Sequence, residues 1–262
     1  MHTFFRVSRW ALLWVLIWGF AVGPVLASES QEAAGEIEFL AKAYGVRVHY
    51  VFSHRDFFPR MWRDKAGYVH GQQASLNQVQ QALPIIREFM DAYPPDVITQ
   101  HLTDIFLLGR LEMMGHSIGG TYYSMWLYVL VSPHLSQATV LSTLHHEFSS
   151  LLMKSHPFPK EQWEQTNAPG WKYAGGSRNM IEKIESQGKA HNSLSHELFS
   201  RGFLVSYGQS CVEDDFNVYA GWLFTRRREL DTLASQYPRI RQKRDLCVEF
   251  FKSVSPDFEF KN

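Results

Sequence analysis

Apolar and polar residues alternate over 46–52, where Val46, Val48 and Tyr50 oppose Arg47 and His49. A period of two predicts a strand. The period lengthens after Ser75. Leu76, Val79, Leu83, Ile86 and Met90 recur at helical spacing, which predicts a helix over 75–93. Ser75 would cap it, Pro84 would kink it, and Pro94-Pro95 would end it. A short helical segment near 96–101 leads into a strand at 104–111. His116-Ser117-Ile118-Gly119-Gly120 reads as a turn, and the aromatic and β-branched run 121–131 as the next strand of the same sheet. Helical spacing returns over 136–153, with Ser136 as N-cap. Residues 28–44 begin polar and become an amphipathic helix, and 53–74 look irregular. Residues 155–192 read as loop with a short helix near 178–187, and 202–207 as a brief extended piece. Two helices, 212–235 and 238–254, close the chain around Pro238. Strands first and helices afterwards make an α+β arrangement.

The 136–153 helix carries the candidate chemistry. At ~100° per residue, Val140, Leu141, Leu144, Phe148, Leu151 and Leu152 share one arc, the predicted core face. Thr143, His146, Glu147 and Ser150 fall on the opposite side, a small and nearly neutral face that suits the wall of a cleft. In the H-E-x-x-H pattern, imidazoles at i and i+4 hold zinc and the intervening Glu activates a metal-bound water. Here His146 and Glu147 are in place and Ser150 stands at i+4. His145 and His156 are further candidate ligands. His156 lies ten residues after His146, the spacing of a third ligand in the extended pattern, but Met153 replaces the turn-forming Gly. Downstream, Glu213-Asp214-Asp215 open a helix and could supply a carboxylate ligand. Acids at a helix start also complement its dipole, so a surface His and Glu with nothing bound remains the alternative.

These segments resemble bacterial secreted zinc metallopeptidases with a lethal-factor-like catalytic domain. The resemblance is carried by residues 144–152, by Gly119-Gly120-Thr121-Tyr122, and by Gly202-Phe203, Tyr207 and 213–219, so that it spans about 75–260. It implies a zincin-like fold, with a small mixed sheet packed on the motif-bearing helix and a mainly helical C-terminal lobe. In that family a downstream helix begins with an E-D-F-like pattern whose first acid binds zinc. Matching the Asp-Phe pair places Asp214 at the ligand position, with Glu213 beside it. Zinc would be held by His146, Asp214 or Glu213, completed by His145, His156 or water. Glu147 would be the base, and Tyr207 or His196 would stabilise an oxyanion. The 121–131 strand would offer its backbone to an extended peptide or protein substrate. The departures are Ser150 for the second His and Asp for Glu. Serine is a poor zinc ligand, so the alternative is an inactive zincin fold that binds a peptide or a cell-envelope partner.

The N-terminus changes the picture of location. Arg6 and Arg9 precede an apolar run from Trp10 to Val22, then Gly23-Pro24 and Val25-Leu26-Ala27. This reads as a signal peptide, residues 1–27, cut after Ala27. Residues 28–74 then form an N-terminal extension and 75–262 the zincin-like domain, in a periplasmic or secreted protein with no membrane span after cleavage. The formal net charge is zero, and removal of the leader leaves about −2. Arg226-Arg227-Arg228 is the one basic run and reads as a solvated helix face, so no nucleic-acid partner is expected. Cys211 and Cys247 could pair in an oxidising compartment. Their unequal distances from the turn near Pro238 set them apart along a straight hairpin, and the pairing stays open.

Overall fold

The computed structural model describes residues 19–187 and 193–260, with side chains from residue 30 onward. Arg6, Arg9 and most of the apolar run of the expected leader lie outside the described residues. The first helix, α1 (Gly19–Tyr44), leads to β1 (Arg47–His49), followed by two single-turn helices, α2 (His54–Phe57) and α3 (Arg60–Arg63). Next come β2 (Val69–Gln73), α4 (Leu76–Asp91), α5 (Pro95–His101) and the long strand β3 (Asp104–Met113). Then follow β4 (His116–Ser117), β5 (Gly120–Tyr123), β6 (Trp126–Leu130) and α6 (Gln137–Ser155), the helix with the motif. The C-terminal part holds α7 (Lys160–Gln165), α8 (Ser177–Ser186), α9 (His196–Arg201), a 3-10 turn (Ser206–Gln209), α10 (Val212–Thr225), α11 (Arg227–Gln236) and α12 (Pro238–Val254). None of the described helices is long and apolar enough to cross a membrane.

The sheet is mixed and is organised by β3. Its first half lies between β1 and β6, parallel to both, and β5 is the antiparallel edge beyond β6. Its second half pairs antiparallel with β2 and β4. Both faces are buried, as the side-chain alternation requires. Ile105, Leu107, Leu127 and Val129 join the main core, while Phe106, Leu108 and Tyr128 pack under Phe57, Phe58 and Trp62. The α+β class and the helical C-terminal part expected from the sequence are what the chain adopts.

Four local expectations are corrected. The 121–131 segment is two strands, because Ser124 takes a left-handed φ of 56° and folds Tyr123 back against Trp126. The 53–74 segment contains β2, whose register with β3 slips at Gln72/Gln73. A Cβ on its Gly71 would meet Phe58 at 2.9 Å, so packing against the aromatic layer demands glycine where a strand pattern would not show one. The 212–235 helix breaks at Arg226: the Thr225 hydroxyl bonds back to the Gly221 carbonyl (2.6 Å), and the Arg226 guanidinium lies 3.9 Å from the Trp222 ring centre. Residues 202–207 form no strand and run into the 3-10 turn. The Ser75 cap is a full capping box with Gln78, and Ser136 accepts from the Thr139 amide, as expected. Both cysteines are free thiols, Cys247 in the core and Cys211 at the N-cap of α10.

Candidate functional site

The outward face of α6, the first turns of α10 and the edge strand β5 enclose a cleft of about 900 Å³. Two glycines set the spacing. A Cβ on Gly221 of α10 would meet the Ser142 Oγ of α6 at 2.7 Å, and one on Gly120 of β5 would meet Thr143 at 2.6 Å and Glu147 at 2.9 Å. Close approach of backbone to helix is what glycine permits. The phase of α6 follows the sequence pattern. Val140, Leu141, Leu144, Phe148, Leu151 and Leu152 are buried in the core, and Thr143, His146, Glu147 and Ser150 line the cleft.

The cleft brings together five of the eight residues singled out from the sequence as catalytic or metal-binding groups: His146, Glu147, Glu213 and Asp214 from two helices, and Tyr207 from the 3-10 turn. The His146 Nε2 lies 4.0 Å from the Asp214 Oδ1. The other Asp214 oxygen accepts from Ser177 Oγ (2.6 Å) and Ser210 Oγ (2.5 Å). The Tyr122 hydroxyl donates to Glu213 at 2.5 Å. The Tyr207 ring centre stands 6.2 Å from that of His146.

Three other candidates lie elsewhere. His145 points into the core, where its Nδ1 meets the Tyr93 hydroxyl at 2.8 Å and its ring stacks on Phe224. One position along a helix is ~100° of rotation, which removes it from the ligand set. His156 ends α6 and pairs with His101, outside the cleft lining. His196 packs on Tyr237, also outside the lining.

Ser150 is built into a hydrogen-bonded chain. The Asn217 amide donates to Ser150 Oγ at 2.6 Å, and the same amide accepts from Ser149 Oγ at 2.6 Å. Across the cleft wall the Tyr122 hydroxyl holds Glu213. Asn217 was not singled out from the sequence, although its place one turn after Glu213 puts both on one helix face. Ser177 and Ser210 carry no sequence signal at all, since one opens α8, the other follows the 3-10 turn, and they meet only at Asp214.

Burial sets the protonation. Glu147 is pushed well above the usual carboxylate range, first by desolvation and then by the charges of Asp214 and Glu213. His146 is pushed down by burial, against the pull of the same two acids. Burial and the Asp214 charge push the Cys211 thiol up to about 12, so it is no nucleophile. Burial likewise raises the Tyr207 and Tyr122 phenols.

A tetrahedral zinc site needs at least three strong protein donors about 2 Å from one ion. His146 and Asp214 converge. The position of a second imidazole holds a serine hydroxyl already bonded to Asn217, and Glu213 accepts from Tyr122. Among the described residues, no group of three or more His, Cys, Asp or Glu side chains is arranged to hold a metal. The donor set does not fit zinc.

No family model matches the chain, and no curated protein matches it. Among solved structures, a candidate zinc-binding metallo-peptidase from Bacteroides caccae is similar, with a TM-score of 0.56 over 86% of each chain at 14% identity. The chain therefore has a metallopeptidase-like fold.

Proposed function

We propose that this chain keeps the peptide-binding cleft of a metallopeptidase-like fold and has exchanged the metal-dependent centre for a hydrogen-bonded wall. The observation that carries this reading is the set of bonds that tie Ser149 and Ser150 to Asn217 and Tyr122 to Glu213. It fills the helix position where the H-E-x-x-H pattern needs its second imidazole. The ligand would be an extended peptide. β5 has one neighbour, β6, and its other edge borders the cleft, so its backbone can pair with an added strand. Met114 and Leu194, both exposed, line the same cleft and suit apolar side chains on that peptide. The edge is 120–123, shorter than the 121–131 strand expected from the sequence.

In this reading the chain acts outside the cytoplasm after a cut at Ala27, and it is a divergent relative of the lethal-factor-like secreted enzymes. Such a cut would fall inside α1 and spare its packed positions Ala33 and Leu40. A hydrolytic reading rests on one observation, the 4.0 Å approach of His146 to Asp214. There, those two residues would hold a metal and Glu147 would act as base.

Metal content decides between the two. The mature chain, purified without chelator and dialysed, is expected to carry no zinc that depends on His146. Stoichiometric zinc that disappears in His146→Ala would establish the hydrolytic reading. Ser150→His should raise zinc affinity by at least ~10-fold, since an imidazole is a far better ligand than a hydroxyl.

A further inference from the structure

We propose that His101 and His156 form a separate two-imidazole site for a divalent ion of the copper or nickel type, at the junction of α5 with the end of α6. Their Nε2 atoms lie 3.0 Å apart, with ring centres 4.9 Å apart and ring planes at 68°. Neither residue lines the cleft. Both rings are half-buried, so water and ions can reach them.

The backbone fixes both side chains. His101 is the last residue of α5, and the Leu102 amide that follows bonds the Ile98 carbonyl. His156 is the C-cap of α6, extended at φ −128° and ψ 152°, with its amide on the Leu152 carbonyl at 2.9 Å. Each imidazole therefore leaves a helix end in a defined direction.

A metal can take both Nε2 atoms once the ring that donates in this contact carries its proton on Nδ1. Two ring nitrogens this close cannot both carry a proton, so at least one lone pair faces the other ring. Neutral imidazole is the form that binds metal.

The spacing suits two cis ligands of one ion. An ion at ~2.05 Å from two nitrogens 3.0 Å apart subtends an angle of ~94°. That is close to the cis angle of a tetragonal Cu²⁺ or octahedral Ni²⁺ sphere. Tetrahedral zinc, at ~109°, would need the nitrogens ~3.3 Å apart. With two protein ligands the remaining positions belong to water, and the affinity order of divalent ions places Cu²⁺ first. Such an ion would tie the motif helix to α5, and binding only the folded chain it would raise the melting temperature.

The test titrates Cu²⁺, and separately Ni²⁺, into the mature chain, followed by electron paramagnetic resonance for Cu²⁺ and by thermal melting for both. One Cu²⁺ with two imidazole nitrogens is expected in the tightest phase. His101→Ala and His156→Gln should each weaken that phase at least ~10-fold and cancel the rise in melting temperature, while His146→Ala leaves it unchanged. Unchanged tight binding in folded His101→Ala and His156→Gln chains would overturn the proposal. So would loss of the tight phase in His146→Ala alone, which would move the ion to the cleft.

Discussion

His145 and His146 are neighbours on one helix, and Asp214 and Asp215 are neighbours on the helix packed against it. In each pair one residue faces the cleft and the other the core. His146 and Asp214 approach each other at the wall of the cleft. His145 stacks on Phe224, and Asp215 is held by Lys243 Nζ (2.6 Å), Tyr173 Oη (2.7 Å) and Trp163 Nε1 (2.9 Å). The same residue types line the cleft on one side and hold the core together on the other. The difference comes from ~100° of helix rotation, so identity and spacing mean little until the face is known.

The core side of this comparison should break first and hardest. Lys243 and Asp215 are both sealed from solvent, Lys243 with 0% and Asp215 with 1% side-chain exposure. Removing one member leaves the other charge buried and unpaired, which costs about 3–5 kcal/mol. Lys243→Ala is therefore expected to lose that much in urea unfolding. Asp214→Asn, one residue from Asp215 but open to the cleft, should lose about 1 kcal/mol or less. Equal losses would mean that the cleft wall is as much a part of the core as the ion pair behind it.

The reach of the sequence follows the same division. The apolar face of α6 was legible because six aliphatic and aromatic side chains repeat at helical spacing, and they are the buried ones. The place of Glu213 and Asp214 opposite His146 was legible only through resemblance to a family pattern. What was not legible depends on long-range contact. The Asn217 bridge joins residues 67 positions apart, and the Ser177 and Ser210 hydroxyls meet at one carboxylate. The Ser124 turn has neither Gly nor Asn to mark it. His156 carried the right spacing for a ligand, yet the C-cap of α6 turns it towards His101. Spacing along a chain says nothing about direction once the helix has ended.

Acid sharpens the two-histidine half of the comparison. Burial pushes His145 down to about 3. A histidine whose folded value is depressed below the unfolded ~6.5 binds its proton more readily in the unfolded chain. Its contribution to stability is therefore intact above pH 6.5 and is lost as pH falls from there towards 3. At ~1.36 kcal/mol per unit, the loss at pH 5 is about 2 kcal/mol. His145→Gln can keep a hydrogen bond to Tyr93 and does not titrate, so its stability should fall less between pH 7 and pH 5, by about that amount. Parallel curves for the two chains would show that water reaches His145 and that the division between core and cleft is not as sharp as the packing implies.

In acid the smallest effect belongs to Glu147, and its smallness there is the informative part. Glu147 lies on the cleft face but behaves electrically as a core residue, because desolvation and the charges of Asp214 and Glu213 hold its proton on. A carboxyl whose folded value is raised contributes stability below its unfolded ~4.3 and loses it as pH rises towards the folded value. Glutamine is neutral at every pH and nearly the same shape. Glu147→Gln should match the wild type within ~0.5 kcal/mol at pH 4 and should gain on it as the pH rises above the unfolded ~4.3 towards the raised folded value. Peptide affinity at pH 5 to 6 should not change, since the replaced group was uncharged. A metallopeptidase would behave otherwise, because there the carboxylate takes the proton from a metal-bound water and its amide ends turnover. Stability curves that separate in the opposite direction, with the variant falling behind as pH rises, would mean that Glu147 is ionised in the folded chain and that a bound cation holds it so.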